Sequence, residues 1–157
     1  LQVPLTSGSA TGERDMTASS EVTFLLVEDD DVDVMAIRRA FDRLKIANPL
    51  VVASNGYEAL ASLRGEDGAE KVERPYIVLL DLNMPQMNGI EFLDVLRHDP
   101  DLDTAIVFVL TTSDDDKDRV SAYKRHVAGY IVKSRAEESF LDAIAMIKHY
   151  WRVVELP

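Results

Sequence analysis

The sequence lacks cysteine, long apolar runs and an excess of positive charge. With no cysteine among its 157 residues, the chain forms neither disulfides nor thiolate metal sites, which fits a reducing cytoplasm. Its apolar runs are far shorter than the roughly 18 residues that a membrane helix needs. The 28 acidic and 17 basic residues give a net charge of -11, which repels nucleic-acid phosphates. We therefore expect a cytoplasmic globular protein that binds neither membranes nor nucleic acid.

Common enzyme signatures are also missing. The sequence has no phosphate-binding glycine loop, no dinucleotide fingerprint, no Gly-x-Ser-x-Gly and no His-Glu-x-x-His. The three histidines, His98, His126 and His149, show no spacing typical of metal ligands, so zinc is not expected.

The most informative stretch is the apolar run at residues 77–80, which ends in Asp81. A run without polar alternation is typical of a parallel strand that is covered on both faces. Pro85 and Gly89 then indicate a turn before the next helical pattern. Asp81 thus lies where a buried strand reaches a loop, the position at which open α/β sheets bind ligands. The alternative is an aspartate that merely caps the following turn.

Four further apolar runs each precede a helical pattern. The five predicted strands span residues 22–27, 50–53, 77–80, 105–110 and 129–132. In the first helix we expect Asp30 or Asp31 at the cap, and a buried face made of Val32, Met35, Ile37, Phe41 and Leu44. In the third helix we expect Asp94 to face solvent. The last helix is predicted from about residue 136 to residue 153.

Strict alternation of five strands and five helices predicts a doubly wound α/β fold with a parallel sheet. We expect the flavodoxin-like strand order 2-1-3-4-5. Strands 1 and 3 are then neighbours, which brings Glu28 and Asp29 beside Asp81. Thr111 and Lys133, which follow strands 4 and 5, lie on the same edge.

Three carboxylates placed together require a counter-charge. Each like-charge pair at about 4 Å costs roughly 1 to 4 kcal/mol. A site of oxygen ligands alone selects a hard cation, and an open site favours Mg²⁺. With Lys133 as a second positive charge, the set suits a phosphoryl group that arrives on a carboxylate oxygen.

From Val22 onward the sequence resembles the receiver domains of two-component response regulators, which are CheY-like. Each matching motif stands at the end of a predicted strand. The motifs are Leu-Leu-Val-Glu28-Asp29, Asp81-Leu-Asn83-Met-Pro85-x-Met-Asn-Gly89, Val-Leu-Thr111-Thr112 and Gly129-Tyr130-Ile-Val-Lys133.

The resemblance implies a function and a role for each residue. Asp81 would accept a phosphoryl group from a histidine of a sensor histidine kinase. Mg²⁺ would be bound by Asp29, Asp81 and the carbonyl of Asn83, with Glu28 acting through water. The remaining roles are phosphate binding by Thr111 and Lys133, switching by Thr111 and Tyr130, and control of the phosphoryl lifetime by Asn83 and Ser113.

The sequence departs from the family pattern at two positions. Ser134 follows Lys133 where the family usually has proline, so we expect a trans bond there, since a non-proline cis bond costs about 2.5 to 4 kcal/mol. Glu28 replaces the commoner aspartate. Neither change removes a required charge.

Residues 1–20 are rich in serine, threonine and glycine and have no periodicity, so we expect a disordered or expression-derived tail before a receiver domain at 21–157. No further module follows, which predicts output through another protein or through a homodimer. The charged 65–75 loop and the C-terminal 151–157 segment resemble stand-alone regulators of phytochrome-type kinases. Trp151, Val153, Val154 and Leu156 either form a dimer interface or pack onto the chain's own core.

Two other functions fit parts of the sequence. A receiver-like adaptor that ignores phosphorylation is one, although the complete acid, threonine and lysine set argues against it. A Mg²⁺-dependent phosphatase is the other, but Asn83 occupies the place of its general acid. We expect a protein that is not an enzyme, beyond assisting its own phosphotransfer and autodephosphorylation.

Overall fold

The structure of the protein is a computed structural model, which describes residues 21–133 and 137–157. Five parallel strands form one sheet, and each strand is followed by a helix. The strands are β1 Thr23–Val27, β2 Leu50–Ala53, β3 Tyr76–Leu80, β4 Ile106–Thr111 and β5 Gly129–Val132. The helices are α1 Asp31–Arg43, α2 Gly56–Arg64, α3 Gly89–His98, α4 Asp116–Lys124 and α5 Glu137–Val153.

The strand order is β2-β1-β3-β4-β5, which confirms the predicted doubly wound, flavodoxin-like topology. The register pairs Val27 with Leu80 and Thr111 with Val132. Because all strands are parallel, the residues that follow them meet at one edge of the sheet. This edge, where β1, β3, β4 and β5 end, is called the active edge below.

Two apolar clusters cover the two faces of the sheet. On one face α2, α3 and α4 pack against residues such as Leu25, Val78 and Val107. On the other, α1 and α5 pack against Phe24, Ile77 and Phe108. Every residue of β3 is buried, because helices cover both faces of this central strand. Within the described ranges, no helix combines the length and apolarity needed to cross a bilayer.

Local signals explain where the helices begin and end. Asp30, Asn55 and Asp115 accept backbone N–H groups at the starts of α1, α2 and α4. Asn88 forms a full capping box with Glu91 at the start of α3. Gly65 ends α2 in the left-handed region, with φ of 70°. Asp30 is therefore the cap of α1, which confirms one of the two residues predicted for that position.

One prediction about side-chain exposure was wrong. Val32 and Met35 are 69% and 57% exposed, because the inward face of α1 is set by Ile37, Ala40 and Phe41. The side chain of Asp94 is 48% exposed, as predicted, and its Oδ1 also lies 2.6 Å from Nε of Arg125, which joins α3 to the end of α4.

The C-terminal segment divides between the two predicted arrangements. Trp151 and Leu156 are partly buried and pack against the cluster under α1 and α5. Val153 is 81% exposed and Val154 is also exposed. The two residues that pack inward therefore cover the chain's own core, and the two valines remain on the surface.

Gly89 is required by a close approach between backbones. A Cβ atom at Gly89 would lie 2.7 Å from the carbonyl oxygen of Asp81 and 2.7 Å from Cα of Leu82. Gly56 occupies the same first position in α2, but its nearest neighbour is the flexible side chain of Met87. The start of α3 thus touches the backbone of the β3–α3 loop directly.

We predict that Gly89→Ala lowers the free energy of unfolding by about 1 to 3 kcal/mol, because backbone atoms of Asp81 and Leu82 must shift. The matched variant Gly56→Ala should cost less than about 1 kcal/mol, since Met87 can change its rotamer. Urea unfolding followed by circular dichroism measures both. Equal losses for the two variants would contradict this explanation.

Candidate functional site

The active edge gathers carboxylates from two neighbouring strands. Glu28 follows β1 and Asp81 follows β3, and the Asp81 N–H donates to the carbonyl of Val27 at 3.0 Å. Glu28 and Asp81 are buried, with 3% and 6% exposure, whereas Asp29 is exposed. One carboxylate oxygen from each of the three lies within 4.8 Å of the others. The site is therefore dense in negative charge and open on the Asp29 side.

Lys133 brings the positive charge to this cluster. Its Nζ lies 2.5 Å from Oε1 of Glu28, 2.8 Å from Oδ2 of Asp33 and 3.8 Å from Oδ2 of Asp81. The side chain of Lys133 is only 8% exposed. Its backbone N–H donates to the carbonyl of Thr111 at 2.7 Å, which fixes the end of β5 against β4.

Burial and charge shift the pKa of both partners. Burial raises the pKa of Glu28 to about 7, because the loss of hydration outweighs the attraction of Lys133. Burial lowers the pKa of Lys133, but hydrogen bonds to Asp33 and Glu28 outweigh that effect and the net pKa is raised. Lys133 therefore stays charged, while Glu28 takes up a proton near neutral pH when no cation is bound.

Asp33 was not identified from the sequence. It lies in the first turn of α1, three residues after the cap Asp30, so it faces the same side as the acidic loop. That spacing could have indicated that Asp33 lies near the site. An acid at this position is ordinarily interpreted as one that stabilises the helix start, and only the position of Lys133 shows that Asp33 also binds the ammonium group.

The hydroxyl-bearing residues surround Ser113, beyond β4. Thr111 is fully buried, and its Oγ1 accepts the Ser113 N–H at 3.3 Å. The Tyr130 hydroxyl donates to the carbonyl of Ser113 at 2.9 Å. The Ser113 hydroxyl itself donates to Oδ2 of Asp118 at 2.6 Å, so it is held by α4. Thr111 and Tyr130 thus contact the same backbone segment.

Asn83 is exposed, and its N–H donates to Oδ1 of Asp81 at 3.3 Å. The β3–α3 loop therefore folds back over the Asp81 carboxylate. A shallow pocket of about 340 Å³ next to this loop is lined by Asn83, Met84, Asn88 and Asp118, among others. The bond between Lys133 and Ser134, which we predicted to be trans, lies outside the described residues.

The donor set fits a hard divalent cation. The three clustered carboxylates offer oxygen ligands alone, and Glu28 and Asp81 are buried with a net negative charge that a cation would offset. Among the described residues, this is the one group of three such side chains found close together. The arrangement combines a buried carboxylate, a cation site and a fixed ammonium group.

Comparisons with known proteins identify the family of the chain. The chain matches the family model of the response regulator receiver domain over residues 24–145. Response regulator Rcp1 of Synechocystis sp. is 34% identical over 134 residues, which cover 85% of this chain and 91% of the relative.

Two solved structures are similar in both sequence and fold. The Mn²⁺-bound form of Rcp1 is 34% identical, with a TM-score of 0.77 and coverage of 87% of this chain and 99% of that one. The phosphorylated cyanobacterial phytochrome response regulator RcpA is 33% identical, with a TM-score of 0.78 and the same coverage. The fold, the strand-end motifs and these matches lead to one conclusion: the chain belongs to the response regulator receiver family, and it is similar to phytochrome response regulators.

Proposed function

We propose that this protein is a phosphorylatable signalling switch in which Asp81 accepts a phosphoryl group from a phosphohistidine of a sensor kinase. The observation that carries the proposal is the buried Asp81 carboxylate, which lies between Glu28, Asp29 and the Lys133 ammonium. Receiver domains of this family act in signalling rather than as enzymes. The complete acid, threonine and lysine set favours this proposal over a phosphorylation-independent adaptor.

Phosphotransfer at this site is a single in-line displacement. A carboxylate oxygen of Asp81 attacks phosphorus, the new O–P bond forms and the N–P bond of phosphohistidine breaks. The electron pair of that bond returns to the imidazole nitrogen. Lys133 and the Thr111 hydroxyl would contact the oxygens of the transferred group, and the Asn83 N–H already orients Oδ1 of Asp81. In autodephosphorylation a water oxygen would attack the same phosphorus, the O–P bond to Asp81 would break, and the electron pair would return to the Asp81 carboxylate as inorganic phosphate leaves.

The residues that would hold Mg²⁺ are Asp29, Asp81 and the carbonyl of Asn83, with Glu28 acting through water. When bound, the cation neutralises charge on the phosphoryl oxygens. The fit rests on the all-oxygen donor set, and the related Rcp1 has a Mn²⁺-bound form. Burial is the main cause of the raised pKa of Glu28 and repulsion from Asp81 adds to it, and a bound cation would offset that repulsion.

The switch would run through Ser113. When the Thr111 hydroxyl turns to a phosphoryl oxygen, it gives up the Ser113 N–H that it now accepts. The backbone that receives the Tyr130 hydroxyl then moves, so Tyr130 changes its rotamer. Asn83 and Ser113, as the family resemblance implies, would set the lifetime of the phosphoryl group by controlling access of water.

The proposed partners follow from similarity to known response regulators. A sensor histidine kinase, of the phytochrome type by similarity to RcpA, supplies the phosphoryl group. The signal passes to an unknown downstream protein or through a homodimer. The assignment of residues 21–157 to one receiver domain, and of 1–20 to a tail, stays a prediction, and residues 1–20 lie outside the described ranges.

We predict that acetyl phosphate with Mg²⁺ adds one phosphoryl group to the protein, as measured by intact mass. Asp81→Asn should abolish the gain, because the nucleophilic oxygen is lost. Asp114→Asn, a change of the same kind in the exposed acidic loop before α4, should leave it intact. Phosphorylation that survives Asp81→Asn would rule out the assignment.

We predict that Mg²⁺ affinity falls about tenfold between pH 8 and pH 6, because Glu28 with a pKa of about 7 binds a proton that competes with the cation. Above pH 8 the carboxylate is already ionised and the affinity should level off. Calorimetric titration at several pH values measures this, and Glu28→Gln should flatten the profile. An affinity that rises on acidification would refute the competition.

We predict a homodimer formed through α5 and the exposed valines that follow Trp151. Val153, 81% exposed, and Met146, 44% exposed, supply apolar surface for the contact. Val153→Asp should weaken self-association about tenfold or more, whereas Val120→Asp on α4 should not. Light scattering across the micromolar range checks both variants. A wild-type protein that stays monomeric, phosphorylated or not, would remove the dimer.

A further inference from the structure

Lys133 is held by two carboxylates from different elements. Its ammonium group donates to Glu28 after β1 and to Asp33 in the first turn of α1, at 2.5 Å and 2.8 Å. The side chain of Asp33 is 32% exposed, against 2% for Glu28. Asp33 is thus the more exposed of the two carboxylates that fix the nearly buried Lys133 ammonium group.

The helix start directs Asp33 toward Lys133. An acid at the third helical position commonly accepts the N–H of the cap residue, as Glu91 does from Asn88 at 3.1 Å in α3. In α1 the corresponding N–H, that of Asp30, donates instead to Oε2 of Glu28 at 3.2 Å. Glu28 therefore takes over the capping contact, and the Asp33 carboxylate is turned to the ammonium.

The same replacement of the capping contact occurs at the start of α4, the other helix whose first turn borders the site. There the N–H of the cap Asp115 donates to the hydroxyl of Ser113 at 3.4 Å. The acid at the third position, Asp118, accepts the Ser113 hydroxyl at 2.6 Å. In both helices the third-position acid contacts a site residue instead of the helix cap.

An ammonium group has three N–H donors and no acceptor. Glu28 and Asp33 take two of them, and the distance of 3.8 Å from Nζ to Oδ2 of Asp81 is too long for a hydrogen bond. The remaining donor is therefore available to an oxygen of a group attached to Asp81. Without Asp33, the ammonium has one anchor and can rotate and shift.

We propose that Asp33 is a positioning residue, which together with Glu28 holds the Lys133 ammonium so that its third donor meets a phosphoryl oxygen on Asp81. This inference rests on the proposed function. Asp33 acts through Lys133 and does not itself touch the phosphoryl group. The negative charge of Asp33 by itself would weaken the binding of an anion, so removing that charge should strengthen binding. If the removal of Asp33 instead weakens the binding of a phosphoryl group, the effect comes from positioning and not from charge.

Beryllofluoride, a phosphoryl analogue that attaches to a carboxylate, provides the test. Its dissociation constant is measured by fluorine NMR at saturating Mg²⁺ for the full chain and for Asp33→Ala, Asp33→Asn, Lys133→Met and the double variant Asp33→Ala/Lys133→Met. We expect Asp33→Ala to weaken binding about tenfold, the size of one charged hydrogen bond. Asp33→Asn keeps an acceptor oxygen and should lose less than about threefold.

The Lys133→Met background separates positioning from other effects. There Asp33→Ala should cause no further loss, because the group that Asp33 positions is gone. Asp31→Asn, which removes the same charge from an exposed neighbour in the first turn of α1, should stay within about twofold of wild type. Mg²⁺ affinity measured without beryllofluoride should change less than about threefold in Asp33→Ala. Thermal unfolding monitors folding of each variant.

The outcomes are distinct. If the wild type fails to bind beryllofluoride, or Asp81→Asn still binds it, the proposed function fails and this inference fails with it. If binding depends on Asp81 but Asp33→Ala binds as tightly as wild type or more tightly, only the role of Asp33 is overturned. The role is likewise overturned by an equal loss in the Lys133→Met background, or by a parallel fall in Mg²⁺ affinity.

Discussion

The contact of the Lys133 ammonium with carboxylates from two other elements is the interaction on which the active edge depends. Burying the Lys133 ammonium group is costly, and the cost is offset because Glu28 and Asp33 each accept a hydrogen bond from it. The same contact ties the end of β5 to the end of β1 and to the start of α1. It therefore fixes the geometry of a site whose members are about 100 residues apart in sequence.

The rest of the fold supplies a rigid frame for that contact. β3 is buried along its whole length and ends at Asp81, so the carboxylate is placed by a strand with little freedom to move. Gly89 allows α3 to begin against the backbone of Asp81 and Leu82. The β3–α3 loop returns over the site, and the Asn83 N–H holds one oxygen of Asp81. The backbone contacts that hold this part of the fold together thus also position the Asp81 carboxylate.

The site is connected to the surface through Ser113. This residue receives the Tyr130 hydroxyl on its carbonyl, donates its N–H to Thr111 and donates its hydroxyl to Asp118. The bond to Asp118 reaches the start of α4, because Asp118 belongs to the first turn of that helix. Ser113 thus hydrogen-bonds both to the buried Thr111 hydroxyl and to the first turn of α4.

The sequence by itself determined the five strands and helices, their approximate limits, the sheet order and the acids, threonine and lysine that end the strands. This was possible because buried parallel strands have unbroken apolar sequences, and because parallel strands bring their carboxyl ends together. The exposure of Val32 and Met35, the Asp94 pair with Arg125 and the contact of Asp33 with Lys133 were decided by tertiary structure. Each depends on how a helix is rotated about its axis and on which distant side chain meets it, and the local periodicity of one helix carries no information about its neighbour.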